Sequence, residues 1–172
     1  SDIDQVLRGA PVEARHVLDL YERSNASIPA CAVALASRLP GLGAVVIVEG
    51  GSGLDSAVVR YASVRPDPER GWPKVYPWPG QQVPAGHPLR HISDRRSIRR
   101  RSFWAMSWGE RADFYLDAVE MRGRWVAVMA DTDLWDAERF HPNTVREFDQ
   151  RAEREIHCCG QTQKVRGYPC PT

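Results

Sequence analysis

The feature that most constrains this chain lies near residue 120. Two apolar runs, Phe114 to Met121 and Trp125 to Ala130, are separated only by Arg122-Gly123-Arg124. Runs of this length and composition read as strands, and a link so short that contains glycine joins them as an antiparallel hairpin. A loop follows from Asp131 to Pro142, with Phe140 as its expected anchor. Beyond it, Asn143 is placed to cap a helix whose Val145, Phe148, Ala152 and Ile156 share one stripe. Glu147 with Arg151 and Gln150 with Arg154 pair across its polar face, and Gly160 ends it. Residues 161 to 172 are expected to form a flexible tail.

Upstream, the pattern opens with helices. Val12, Val17, Leu18 and Tyr21 recur near the helical period, which predicts one amphipathic helix over Pro11 to Ser24. Ser27 can cap a second, with Pro29 in its first turn and Cys31, Val33, Leu35 and Leu39 along it, and Pro40-Gly41 ends it. The period then changes. Ala44 to Val48 and Ala57 to Val64 are apolar and rich in β-branched residues, so both read as strands, and the glycines at 50, 51 and 53 suit the hairpin loop between them. A phosphate cradle would require that loop to open a helix, whereas it leads into Ala57-Val58-Val59.

The stretch from Arg65 to Glu110 is different in kind. It holds seven of the thirteen prolines and Trp72, Trp78, Trp104 and Trp108. Proline excludes long regular elements there. A strand around Val75 to Trp78, a short helix at Pro88 to His91 and a further short segment over Ser97 to Trp104 are expected. A long aromatic insertion of this type either holds a ligand or plugs a core with few long helices. The residues leave both readings open.

Net charge constrains the partners. The 23 cationic side chains are balanced by 22 acidic ones, so no bulk field holds a polyanion or an anionic membrane. No apolar run is long enough to span a bilayer. The expected protein is therefore soluble and cytoplasmic. The chain begins at Ser1 rather than Met, which leads us to expect either a processed start or a piece of a longer protein with a domain upstream.

Taken together, two leading helices, the hairpin of Gly43 to Val64, a variable middle containing Gln81-Gln82-Val83-Pro84-Ala85-Gly86, and the pair Phe114-Tyr115-Leu116-Asp117-Ala118-Val119 with Trp125-Val126-Ala127-Val128-Met129-Ala130 make the chain similar to the GAF domains over residues 11 to 158. The resemblance implies an α/β (α+β) fold in which a central antiparallel sheet carries the N- and C-terminal helices on one face and a ligand pocket on the other. It implies one sensory domain over 1–160, a small-molecule ligand, and a homodimer through the terminal helices. It also implies a bacterial setting as part of a transcription regulator or signalling protein, with DNA contacted only by a domain outside this chain. The Asn-Lys, Phe and Asp-Glu series of the cyclic-nucleotide-binding members is missing, as are the Cys-His pair of the bilin-binding type and the spaced cysteines of the methionine-sulfoxide-reducing relatives. No cofactor is expected.

Within that frame the ligand-binding residues are expected to be Trp72, Tyr76, Trp78, His87, His91, Arg95, Phe103, Trp104, Trp108 and Tyr115. His87 and His91 stand four apart, the spacing of a helical metal pair, but Pro88 lies between them and no third ligand is near, so no metal is expected. Arg90, Arg95, Arg96, Arg99, Arg100 and Arg101 form the densest charge run. They read either as an anion-binding surface or as a solvated helix face paired with Asp94, Glu110 and Asp113. Cys158, Cys159 and Cys170 read as structural or incidental. No nucleophile with a base and no convergent carboxylate pair stands out, so catalysis is not expected. A ligand-free dimerisation module and a small enzyme around His87 and His91 remain the alternatives.

Overall fold

The computed structural model describes residues 1–50, 56–90, 97–137, 154–158 and 161–165. The chain divides into two compact units, Ser1–His141 and Pro142–Thr172.

The first unit opens with three helices, α1 (Asp2–Leu7), α2 (Ala14–Arg23) and α3 (Ile28–Ala36). The first was not anticipated, although its signal is present. The Ser1 hydroxyl accepts from the Asp4 amide at 3.4 Å and donates to the Asp4 carboxylate at 2.6 Å, a capping pair that satisfies otherwise orphaned backbone groups. The second helix starts at Ala14, later than Pro11; Val12 and Val17 are buried and Leu18 packs on the core as the stripe predicts, but Leu20 takes the buried place expected of Tyr21, which is 45% exposed. For the third, Ser27 caps the helix as expected by accepting from the Ala30 amide at 3.3 Å.

Five strands follow: β1 (Gly43–Gly50), β2 (Ala57–Arg65), β3 (Ser97–Ala105), β4 (Arg111–Met121) and β5 (Arg124–Ala130). They form one antiparallel sheet in the order β2-β1-β5-β4-β3. Between β4 and β5, Arg122 at φ 50° and Gly123 at φ 77° make the two-residue turn with two positive φ angles that matches strand twist. The Glu120 carboxylate accepts from the Gly123 amide at 3.0 Å and fixes it. At the start of β1, Gly43 lies so close to the Met129 carbonyl and Leu39 that a β-carbon would collide with β5.

Both faces of this sheet are covered, which explains why β1 and β5 read as continuous apolar runs rather than alternating ones. Val45, Val126, Val128 and Ala130 meet Val17, Leu20 and Leu35 of the helices and Leu39 just after them. On the opposite face, Val46, Val48, Leu116, Ala127 and Met129 meet Val75, Val83, Leu89 and Trp104. Thus a central antiparallel sheet with the N-terminal helices on one face is observed.

Three expectations are corrected. Val75 to Trp78 is not a strand; Pro73, Pro77 and Pro79 deny it a ladder. Ser97 to Ala105 is a nine-residue edge strand, so the arginines within it do not form a helix face. In the second unit, Arg154–Cys158 is a strand, β6, paired antiparallel with β7 (Gln161–Val165), with Cys158 opposite Gln161. The expected C-terminal helix therefore does not extend to Ile156, and Gln161 to Val165 is not a tail. The earlier part of that helix, Phe140 and Cys170 lie outside the described residues. The expected boundary between 160 and 161 falls between the paired strands.

Candidate binding surface

The middle segment is tied to the sheet at several points. The Asp67 carboxylate accepts from the amides of Glu69 and Arg70, both at 2.8 Å, making a tight turn closed by backbone pairing with Gly71. Further on, the Gly80 amide donates to the Val59 carbonyl at 2.8 Å, the Val59 amide to the Gln81 carbonyl at 2.9 Å, and the Val83 amide to the Ala57 carbonyl at 2.8 Å. The Gln81 side chain then reaches the far edge of the sheet. It donates to the Ala105 carbonyl at 3.1 Å and accepts from Trp104 Nε1 at 3.1 Å. Sequence reasoning did not single out Gln81, because a lone glutamine carries no local signal of its partners.

These anchors sort the expected site residues into two groups. His87 and Trp104 are fully buried and Phe103 beside them is half-buried, with the His87 ring edge-on to Phe103 at 5.5 Å and to Trp104 at 5.2 Å. His87 Nδ1 accepts from the Leu89 amide at 3.1 Å, whereas Nε2 is buried without an acceptor in hydrogen-bond geometry. Burial, reinforced by Arg100 and opposed by the Phe103 backbone, lowers the His87 pKa to about 3. The imidazole is therefore neutral and serves as a turn cap inside an aromatic cluster.

The second group faces outward. Trp72 and Tyr76 meet edge-on at 5.7 Å, Tyr76 and Trp78 at 5.9 Å, and Trp78 stacks on Trp108 at 5.8 Å with planes 16° apart. Trp72 is 65% exposed and Trp108 61% exposed. Trp108 is held in place by donating to the Glu110 carboxylate at 2.8 Å. The result is a continuous ridge of four rings, open at both ends. Beneath it, the cavity lined by Val75, Tyr76, Phe114 and Met129 measures about 10 Å³, room for about one water molecule.

Tyr115 does not join either group. It is adjacent to Phe114 and Leu116 on β4 and so points to the other face, where it packs against the helix-side core with the Arg101 guanidinium 5.9 Å from its ring centre. His91 and Arg95 lie outside the described residues, as do Arg96 and Asp94.

The arginines of β3 take part in internal contacts. Asp117, buried in β4, accepts from Arg99 Nε at 2.9 Å and from the Ala14 amide at 2.7 Å, while Arg99 also reaches Glu13 at 3.3 Å. Arg101 pairs with Asp113 at 3.1 Å, and Arg111 lies 3.8 Å over the Phe103 ring. Asp133 caps its loop by accepting from the Ala137 amide at 2.8 Å, and Trp135 ties that loop down by donating to the Val12 carbonyl at 2.8 Å. Among the described residues, no helix is long and apolar enough to cross a membrane.

No protein-family model matches the chain, and no curated protein matches it either.

Proposed function

We propose that this chain is a GAF-like regulatory module, non-enzymatic and cytoplasmic, that works by docking a protein partner on its aromatic ridge. The observation that carries this reading is the ridge itself: four rings in three successive contacts, ending in two tryptophans that are each more than half exposed. Large rings held rigidly at a surface give up apolar area to a partner at little entropic cost, and exposed apolar patches of this type mark interaction sites. The strand order and the leading helices on one face support the GAF-like assignment. A bacterial transcription regulator or signalling protein is the proposed setting, with any DNA contact made outside this chain. Sedimentation velocity over a concentration series, with the intact chain and a Trp72→Ala/Trp108→Ala variant, tests the reading against self-association or a neighbouring domain supplied in trans. Association lost in the variant supports it; association unchanged by the variant overturns it.

A second reading keeps the small-molecule sensor, with an amphipathic or aromatic ligand on the ridge. The near-parallel stack of Trp78 on Trp108 favours it, since it offers a flat face for a further ring. Tryptophan emission and thermal melting across a set of aromatic acids and nucleotides separate the two, because a ligand of the native state raises Tm.

A further inference from the structure

The helix-covered face carries a site of different chemistry. Arg8 at φ 48° and Gly9 at φ 78° turn the chain out of α1, and the space between that turn and α2 is a cleft of about 330 Å³. Its polar lining is Gln5, Arg8, Arg15, His16, Asp19 and Arg23. The lining thus draws on three arginines and one aspartate. Arg15 also holds Glu13 at 2.8 Å, which orients its planar fork.

His16 forms part of the wall although it is only 3% exposed. Its Nδ1 accepts from the Glu13 amide at 3.0 Å. That bond leaves the proton of the neutral ring on Nε2, where it is available as a donor. Burial favours the neutral ring by lowering its pKa, with Arg15 acting in the same sense and Glu13, Asp19 and Asp117 opposing. An N–H donor on a wall that also carries Arg8, Arg15 and Arg23 matches the acceptor-rich, doubly charged surface of phosphate.

We propose that the cleft between α1 and α2 binds a phosphate dianion, free or as the ester of a small metabolite. Arg8, Arg15 and Arg23 engage the phosphate oxygens, His16 donates through Nε2, and Asp19 accepts from a hydroxyl of the esterified group. Because α2 is tied to the sheet through Ala14 and Asp117, occupancy bears directly on the position of the helix layer. This site is separate from the aromatic ridge and does not depend on the reading given for it.

Calorimetric titration of the full chain with inorganic phosphate, ribose 5-phosphate and ribose, at ionic strength matched with chloride, tests the assignment. Saturable heat is expected with both phosphates and none with ribose. Tighter binding of the ester identifies a phosphorylated metabolite, and equal binding identifies the free anion. The Arg8→Gln/Arg23→Gln variant is expected to bind about tenfold more weakly or worse, as loss of charge-assisted hydrogen bonds requires, with its own Tm unchanged in chloride. A folded variant that binds phosphate as the parent does, or a parent with no saturable heat at millimolar phosphate, overturns the proposal. If the double variant does not fold, Asp19→Asn decides: weaker preference for the ester over inorganic phosphate supports the site, and an unchanged preference overturns it.

Discussion

The two faces of the sheet are closed by opposite means. On the helix side the cover is regular, and a buried ionic anchor links Asp117 of β4 to Arg99 of β3 and to the first turn of α2. On the other side the cover is an irregular, proline-rich segment, held by Gln81, by backbone pairing along β2 and by aromatic packing around the fully buried Trp104. The contrast teaches that regular elements need polar links to fix their register on a sheet, because apolar faces slide over one another without directional preference. An irregular segment has backbone groups of its own to spend on such links, and large rings can fill its uneven underside.

The comparison can be broken most severely at Trp104. Trp104→Ala removes the central ring of the loop-covered face and the donor to Gln81, and should cost about 3–5 kcal/mol in denaturant unfolding. A loss under about 1 kcal/mol would show that packing does not close that face. Next is the ionic anchor. Asp117→Ala leaves the Ala14 amide without its buried acceptor and Arg99 with Glu13 alone, and should cost about 2 kcal/mol, whereas Asp117→Asn retains one acceptor and should cost less. If alanine and asparagine are equally mild, the helix face is held by its apolar contacts alone.

A third test uses pH. His87 resists protonation in the fold down to about 3, against an ordinary value of 6.5. The unfolded chain therefore binds the extra proton first, so stability is complete above 6.5 and falls as the pH drops through that interval towards 3. His16, shifted down as well, adds in the same direction. His87→Asn keeps an acceptor for the Leu89 amide and should flatten the acid limb of Tm against pH; an unaltered limb would assign it to other groups. The smallest stability effect is expected at the ridge, where Trp108→Ala should change unfolding by about 0.5 kcal/mol while weakening partner association. A large stability loss there would make the ridge part of the core.

Much of the architecture was legible because it was written in local patterns. The hairpin around Gly123, the β1–β2 pair and the Ser27-capped helix follow from period and turn chemistry at adjacent residues. The strand over Arg154–Cys158 was misread because Val145, Phe148, Ala152 and Ile156 satisfy a helical spacing, while five-residue segments obey helix and strand periods about equally well. The arginines of β3 were read in part: Arg101 does pair with Asp113 as one reading had it, but on a strand rather than a helix, and the acceptors of Arg99, Glu13 and Asp117, come from elsewhere in the chain.

The candidate surface divides along the same line. Four expected aromatics, Trp72, Tyr76, Trp78 and Trp108, do assemble, yet composition alone could not separate them from Trp104, which is buried, or from Tyr115, which packs on the opposite face. Sequence by itself determined the strands β1, β2, β4 and β5 and the turn between the last two, because those outcomes depend on interactions within a few residues. Only the tertiary structure decided that Gln81 spans to β3, that Asp117 holds a helix more than a hundred positions away in the chain, and that arginines and His16 converge on one cleft. Those contacts depend on which distant residues the sheet brings within hydrogen-bond reach, and no local pattern encodes that.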